Sequence, residues 1–262
     1  VGEHARGPSF GDAPSTPPSR RTRSVRATSR GPSGPLGVLV PNLTYELFYG
    51  FDEKPFGLAS DPKFLYHSAS FDRATQDVID AIGLREGVVL VTGERGMGKT
   101  TFCLSLVSQL GSSMRISLLT DPPESVGELF KSVQESAVVI LDEAQRLSVE
   151  VLQQLYRLSE GGRAGERLQI VLVGEPDLLS LVRRRGPREL HRRVTTRCQL
   201  EPLTADETAG YVVHRLAVAG TGVRVEFDDG AMARLSAISG GVPRVINQIC
   251  DAALAEAHQV AA

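Results

Sequence analysis

Nine consecutive residues constrain this chain more than any other feature. Gly93-Glu94-Arg95-Gly96-Met97-Gly98-Lys99-Thr100-Thr101 fits G-x-x-x-x-G-K-[ST] at every position. The motif has meaning only between a strand and a helix, and both are written beside it. Val88-Val89-Leu90-Val91 is a buried-strand run, and Phe102-Cys103-Leu104-Ser105-Leu106-Val107 reads as a helix. In that setting the glycines let the backbone curl until its N–H groups face phosphate oxygens, and the helix N-terminus adds a favourable dipole. Lys99 would reach the β- and γ-phosphates of ATP, and Thr100 would ligate Mg²⁺. A plain glycine-rich turn is the alternative, and motif and context together argue against it.

A second signal follows downstream. Val138-Val139-Ile140-Leu141 is an apolar run that ends in Asp142-Glu143. A buried strand of a parallel sheet ends at the edge where ligands bind. Asp142 would hold Mg²⁺ through its water shell, and Glu143 would orient and deprotonate the attacking water. A third element is Gly240-Gly241-Val242-Pro243-Arg244: the glycines end one helix and Pro243 starts the next. Arg244 then lies in a first turn from which it can swing over the γ-phosphate.

Helical periodicity over Phe71–Leu84 precedes the first strand. Further strands are expected at Ile116–Leu119, Ala137–Leu141, Leu168–Val173 and Thr195–Leu200, with helices at Glu124–Gln134, Ser148–Leu158 and Pro176–Val182 between them. Strands alternating with helices imply a parallel sheet covered on both faces. After Pro202 the pattern changes. Thr204-Ala205-Asp206-Glu207 is a capping box opening a helix to about Val218, and Asp229–Ile238 and Pro243–Gln259 are two more. The expected division is therefore a tail over 1–37, an α/β nucleotide-binding core over 38–202 and an all-helical lid over 203–262.

Charge is unevenly placed. The chain carries a net −2, but residues 1–37 hold six Arg against Glu3 and Asp12, which is +4 and leaves −6 for the rest. That tail is rich in Ser, Pro, Gly and Arg and poor in apolar residues, so its composition predicts disorder, and its Arg20, Arg21, Arg23, Arg26 and Arg30 suit either a contact to DNA or anionic lipid or plain solvation. A second basic run comprises Arg183, Arg184, Arg185, Arg188, Arg192, Arg193 and Arg197, opposed only by Glu189. It suits either an arginine offered to a neighbouring subunit's ATP or a contact to DNA. Cys103, Cys198 and Cys250 lack metal-ligand spacing and read as buried thiols of a reducing, cytoplasmic setting. No apolar run is long enough to span a membrane, and the N-terminus has no signal-peptide core. The chain opens on Val1, which a non-standard start codon or a fragment would explain.

Together these residues resemble the AAA+ ATPases, and more specifically a branch of secretion-pathway ATPases whose AAA domain is of the origin-recognition type. The resemblance begins at Tyr49-Gly50-Phe51-Asp52-Glu53-Lys54-Pro55-Phe56 and Asp61-Pro62-Lys63-Phe64-Leu65-Tyr66. It continues through the phosphate loop, Leu141-Asp142-Glu143-Ala144-Gln145 and Leu168–Gly174, and closes with Leu203–Thr208 and Ser239–Asn247. It implies that Lys99 and Thr100 are the Walker A pair, Asp142 and Glu143 the Walker B pair, and Arg244 sensor 2. Arg188 and Arg193 fall where the family has arginines, so the resemblance makes them trans-acting fingers, Arg193 first. It also sets the aromatic box against the adenine. Glu175 stands at the sensor 1 position, where relatives have a neutral amide, often Gln. A carboxylate there faces the γ-phosphate and implies slow hydrolysis. The segment Asp121–Ala137 between the second and third strands is shorter than in relatives. Those relatives continue into a membrane span and a peptidoglycan-binding domain, and this sequence ends at Ala262.

Three functions compete. The first is an oligomeric ATPase that remodels a protein partner of a secretion or envelope system. The second is a DNA-transposition or replication helper ATPase, and the third a regulatory switch that binds ATP and barely hydrolyses it. With no recognisable DNA-reading module, the first ranks ahead.

Overall fold

The computed structural model describes residues 45–111, 113–133, 135–161, 167–185, 188–220 and 225–261. The tail expected over 1–37 lies outside the described residues. Five strands, β1 (Val88–Thr92), β2 (Ile116–Leu119), β3 (Val138–Leu141), β4 (Gln169–Gly174) and β5 (Val194–Gln199), form one sheet in the order β2-β3-β4-β1-β5. Every pairing is parallel. In register, Leu90 faces Leu172 and Leu141 faces Leu172 from the other side, so the ends of β1, β4 and β3 lie side by side.

Successive strand side chains point to opposite faces, and the two faces have separate cores. Val89, Val91, Ile140, Val171 and Val173 pack beneath α2 (Ala69–Gly83) and α3 (Lys99–Leu110), through Val78, Phe102 and Leu106. Val88, Leu90, Leu141, Ile170 and Leu172 pack beneath α4 (Val126–Val133), α5 (Val149–Glu160), α6 (Leu178–Arg185) and α7 (Arg188–Arg193). Full burial of such side chains contributes about 1.5–3 kcal/mol each. Ser68 caps α2 and Ser148 caps α5, each accepting a backbone N–H three residues on.

A third core lies beside the sheet. Helices α8 (Ala205–Ala219), α9 (Asp229–Ser239) and α10 (Pro243–Ala261) follow the last strand, and the capping box of Thr204 and Glu207 opens α8. Their buried side chains, Tyr211, Val212, Leu235, Ile246, Cys250 and Leu254, enclose the aromatic segment around α1 (Tyr45–Tyr49): Tyr45, Tyr49, Phe51, Phe56 and Phe64. The aromatic box is thus the core of the helical unit. Tyr45 Oη bonds Asp251 of α10, and Asp52 N–H donates to Ala219 O at 2.9 Å. The chain crosses into these helices at Leu203, which donates to Gly241 O at 2.9 Å. Gly241 has φ +73°, and a Cβ there would lie 2.0 Å from Leu203 O, so the crossing requires glycine.

Candidate functional site

The phosphate loop leaves β1 at its C-terminal end and turns into α3 without a side-chain cap: Gly98, φ +83°, stands at the N-cap. The first N–H groups of an α-helix lack intrahelical acceptors, which makes such an end an anion-binding site. Lys99 is 6% exposed, and its Nζ donates to Gly93 O at 3.0 Å and Glu94 O at 3.2 Å, so the loop's own carbonyls hold the ammonium inside the curl. Thr100 Oγ1 donates to Asp142 Oδ2 at 2.6 Å. Asp142 is 1% exposed at the end of β3, and its Oδ1 accepts the Glu143 N–H at 2.9 Å. This hydroxyl–carboxylate pair is an oxygen donor set of the kind Mg²⁺ takes, and the residues fit that ion.

Glu143 adopts a left-handed backbone, φ +50°, where a residue with a Cβ is strained. Its Oε2 accepts from Gln145 Nε2 at 2.7 Å. The oxygen of that amide, Gln145 Oε1, accepts the Glu175 N–H at 3.2 Å, next to the end of β4. Arg244 is exposed in the first turn of α10, and its N–H donates to Gly96 O at 3.2 Å. Gly96 has φ +89°, and an added Cβ would sit 2.8 Å from Arg244 Cβ, so the loop and α10 touch backbone to backbone.

One cleft of about 620 Å³ is lined by Arg95, Gly96, Gly98, Lys99, Thr100, Thr101, Glu143, Glu175 and Arg244, together with Gly57–Ser60, Gln145, Arg146 and Arg215. The candidates drawn from four distant stretches of sequence, the phosphate loop, Glu143, Glu175 and Arg244, therefore converge. A smaller apolar cavity of about 90 Å³ adjoins it, sharing Gly98, Thr101, Tyr211, Arg215 and Pro243, and is lined further by Phe64, Leu65 and Met97. The aromatic box itself does not face this space. Tyr45–Phe56 is turned into the helical core, where its rings find apolar partners, and the residues after it line the cleft. The box expected near the lid thus packs with the C-terminal helices, beside the cleft-lining Gly57–Ser60.

Arg188 and Arg193 are not in the cleft. They bound α7, which enters β5 at Val194, paired with Val88 at the N-terminal end of β1. The loop leaves the opposite end of that strand. Arg188 is exposed, whereas Arg193 is paired with Glu160 at the end of α5. In the single chain, then, the Arg188 side chain faces solvent while that of Arg193 is engaged with Glu160. Arg183, Arg184, Arg192 and Arg197 are also exposed on this side. Burial first, and then the charges of Arg183 and Arg197, hold His191 below its ordinary pKa.

Two residues of the site escaped sequence reasoning. Gln145 stood inside a quoted motif without a role. Arg215 reads as a surface residue of α8, yet it is 5% exposed. It donates to Pro55 O at 2.5 Å, Gly57 O at 2.9 Å and Tyr211 Oη at 3.3 Å, and lies 4.2 Å over the Phe64 ring. Cys103, beneath the loop, has its thiol held well above the ordinary value by burial and next by the Asp142 carboxylate, so it stays neutral. Cys103, Cys198 and Cys250 are all buried free thiols.

A five-stranded parallel sheet, a phosphate loop opposite paired carboxylates and a helical unit leaning on the loop define an AAA+ P-loop protein. The family described as "AAA domain" matches residues 124–182. The chain is similar to general secretion pathway protein A of Aeromonas hydrophila, 34% identical over 243 residues, covering 80% of this chain and 44% of that protein. It is also similar to the Holliday junction branch migration complex subunit RuvB of Prosthecochloris aestuarii, 30% identical over 174 residues, covering 62% of this chain and 49% of that protein. The chain thus spans less than half the length of these relatives. Among solved structures, Cdc6p from Pyrobaculum aerophilum has the same fold, with a TM-score of 0.62 at 15% identity over 80% of this chain and 67% of that one. Among the described residues no helix is long and apolar enough to cross a membrane.

Proposed function

We propose that this protein binds and hydrolyses ATP, and that it works as an oligomer on a protein partner of a secretion or envelope system. The observation that carries the hydrolytic reading is the convergence of Lys99, Thr100 and Glu143 on one cleft, with Asp142 buried behind Thr100 and hydrogen-bonded to it. In this reading the α3 N-terminus and Lys99 bind the β- and γ-phosphates, and the apolar cavity beside Met97 and Phe64 takes the base. Mg²⁺, held by Thr100 and Asp142, would neutralise phosphate charge. Glu143 orients the attacking water and takes its proton. Arg244 reaches the γ-phosphate from α10, and Arg188 serves a neighbour's site. Glu175 adds a negative charge to the cleft and supports slow turnover. The helices after Leu203, together with the aromatic segment, form the lid on a core that ends near residue 202. The three buried thiols support a reducing, cytoplasmic compartment.

The secretion role rests on the similarity to general secretion pathway protein A. A DNA-associated role has one observation in its favour, the exposed arginines of α6, α7 and β5. Steady-state ATPase with and without duplex DNA separates the two. Stimulation that falls steeply with salt would replace the first reading by the second. Lys99→Ala should abolish ATP binding, and Glu143→Gln should bind ATP and stop turnover, because an amide cannot take the proton. Parent-level hydrolysis by Glu143→Gln would sink the assignment of the base.

A further inference from the structure

Gln145 stands between two parts of the cleft that the strand order sets side by side. Its Nε2 donates to Glu143 Oε2 at 2.7 Å, and its Oε1 accepts the Glu175 N–H at 3.2 Å. Only a group that donates and accepts at once can make both bonds: a carboxylate lacks the donor, and an apolar side chain lacks both. The end of β4 is shaped for this amide. A Cβ on Gly174 would lie 2.5 Å from Gln145 Oε1 and 2.9 Å from Leu178 Cδ2, so any larger residue there would push the amide aside and shift the end of Leu178. The residue that the amide grips is itself held in a costly conformation. Glu143 has a left-handed backbone, and Asp142 Oδ1 accepts its N–H at 2.9 Å. Its backbone N–H is thus held by Asp142 and its carboxylate by Gln145.

We infer that Gln145 is a positioning residue: it ties the carboxylate of Glu143 to the tip of β4 and holds it in one rotamer toward the cleft. The inference rests on the ATP-hydrolysing reading. It adds that the base is linked to the Gly174–Glu175 backbone, so a displacement there is passed to the carboxylate through one side chain. Charge-assisted bonds of this kind are stronger than neutral ones and fix geometry.

The test measures kcat, KM and equilibrium ATP affinity of the full chain for Gln145→Ala, Gln145→Glu, Gly174→Ala and the double variant Gln145→Ala/Gly174→Ala. Gln145→Ala and Gln145→Glu should each lower kcat roughly ten- to a hundredfold, the range that a small misplacement costs. KM and ATP affinity should stay within about twofold, because the bridge touches the base and not the phosphate loop. Gly174→Ala should lower kcat by itself but add little to the kcat loss in the Gln145→Ala background, where the amide it displaces is gone, while its clash with Leu178 shows as the same small stability loss in both backgrounds. A merely structural role would lower affinity or melting temperature in the Gln145 variants and would make the two kcat losses additive. Unchanged kcat in Gln145→Ala, or additive kcat losses, would overturn the inference. If Gly174→Ala does not fold, the split between kcat and KM in the two Gln145 variants decides alone. A parent chain no faster than Glu143→Gln removes the hydrolytic reading and the bridge with it. A working parent with an indifferent Gln145 removes the bridge only.

Discussion

Thr100 and Asp142 are joined by a 2.6 Å hydrogen bond that links the first turn of α3 to the end of β3. The bond spans two strands of the sheet order, since β4 lies between β1 and β3. Asp142 is buried, and both of its oxygens are satisfied inside the protein.

Thr100→Val should therefore have two effects. It leaves a buried carboxylate oxygen without its donor, at about 1–3 kcal/mol, which a thermal melt without nucleotide reads. It also removes one oxygen from the Mg²⁺ donor set, so ATP titrations should lose their dependence on Mg²⁺. Thr100→Ser keeps the hydroxyl and should restore both. A valine variant with parental stability and undiminished Mg²⁺ dependence would disconnect Thr100 from the metal.

Arg215 makes a different prediction. Its guanidinium satisfies the carbonyls of Pro55 and Gly57 and lies over Phe64, tying the segment that lines the cleft to α8. A lysine has no planar fork and cannot reproduce that set. Arg215→Lys should cost about 2–4 kcal/mol of stability, because a buried carbonyl is left unpaired and the stacking is lost. It should also weaken ATP binding, since Gly57–Ser60 would no longer be held beside the loop. Chemical denaturation and nucleotide titration measure the two effects separately.

Much of the site was legible in the sequence, for a physical reason. A phosphate loop and a strand ending in carboxylates are local patterns, and the parallel topology that alternation implies brings their ends to one edge. Arg244 was legible because Gly240, Gly241 and Pro243 mark where one helix stops and the next begins. What stayed hidden depends on tertiary packing. The aromatic box advertises a core but not which core, and the helices of the C-terminal unit took it. Arg215 is a charged residue on an amphipathic helix, and its burial comes from carbonyls 160 and 158 positions away. The turns at Pro62–Phe64 and Ala144–Arg146 and the helix Arg188–Arg193 are too short to carry a period.

The basic run offers a comparison between neighbours. Arg188→Ala should leave ATP affinity unchanged and remove the part of ATPase activity that rises with protein concentration. Mixing it with Glu143→Gln subunits should return partial activity, because some interfaces then pair an intact site with an intact arginine. No recovery at any ratio, with oligomers verified by size, would end the trans assignment. Arg193→Ala should behave otherwise: its partly exposed pair with Glu160 is worth at most about 1 kcal/mol, and its loss should show as a small drop in melting temperature.

Glu207 gives the fold an acid-sensitive joint. Its carboxylate accepts the Thr204 N–H at 2.9 Å and the Ala69 N–H at 3.0 Å, coupling the start of α8 to the start of α2. The bond from Thr204 first, and then that from Ala69, hold its carboxyl below the ordinary 4.5. A value lowered by folding stabilises the protein fully above the unfolded value, and that contribution is lost as the pH falls through the folded one. Glu207→Gln should thus cost about 1 kcal/mol at neutral pH. The gap to the parent should close as the pH is taken below 4.5, as denaturation curves across that range would record. A gap that stays constant into acid would mean that shape, and not charge, makes the joint.

Helix α10 starts against the phosphate loop, where Arg244 N–H meets Gly96 O, and runs for 19 residues. At 1.5 Å per residue it is a rod about 28 Å long. Midway along it Asp251 holds Tyr45, and near its far end His258 meets Phe48 edge to face. A rod seated at one end converts angle into distance. A tilt of about 10° at Pro243 would carry Ala261 sideways by about 5 Å and Asp251, halfway along, by about 2 Å. A small tilt where α10 meets the loop would in this way be enlarged, by leverage alone, toward the opposite end of the helical unit.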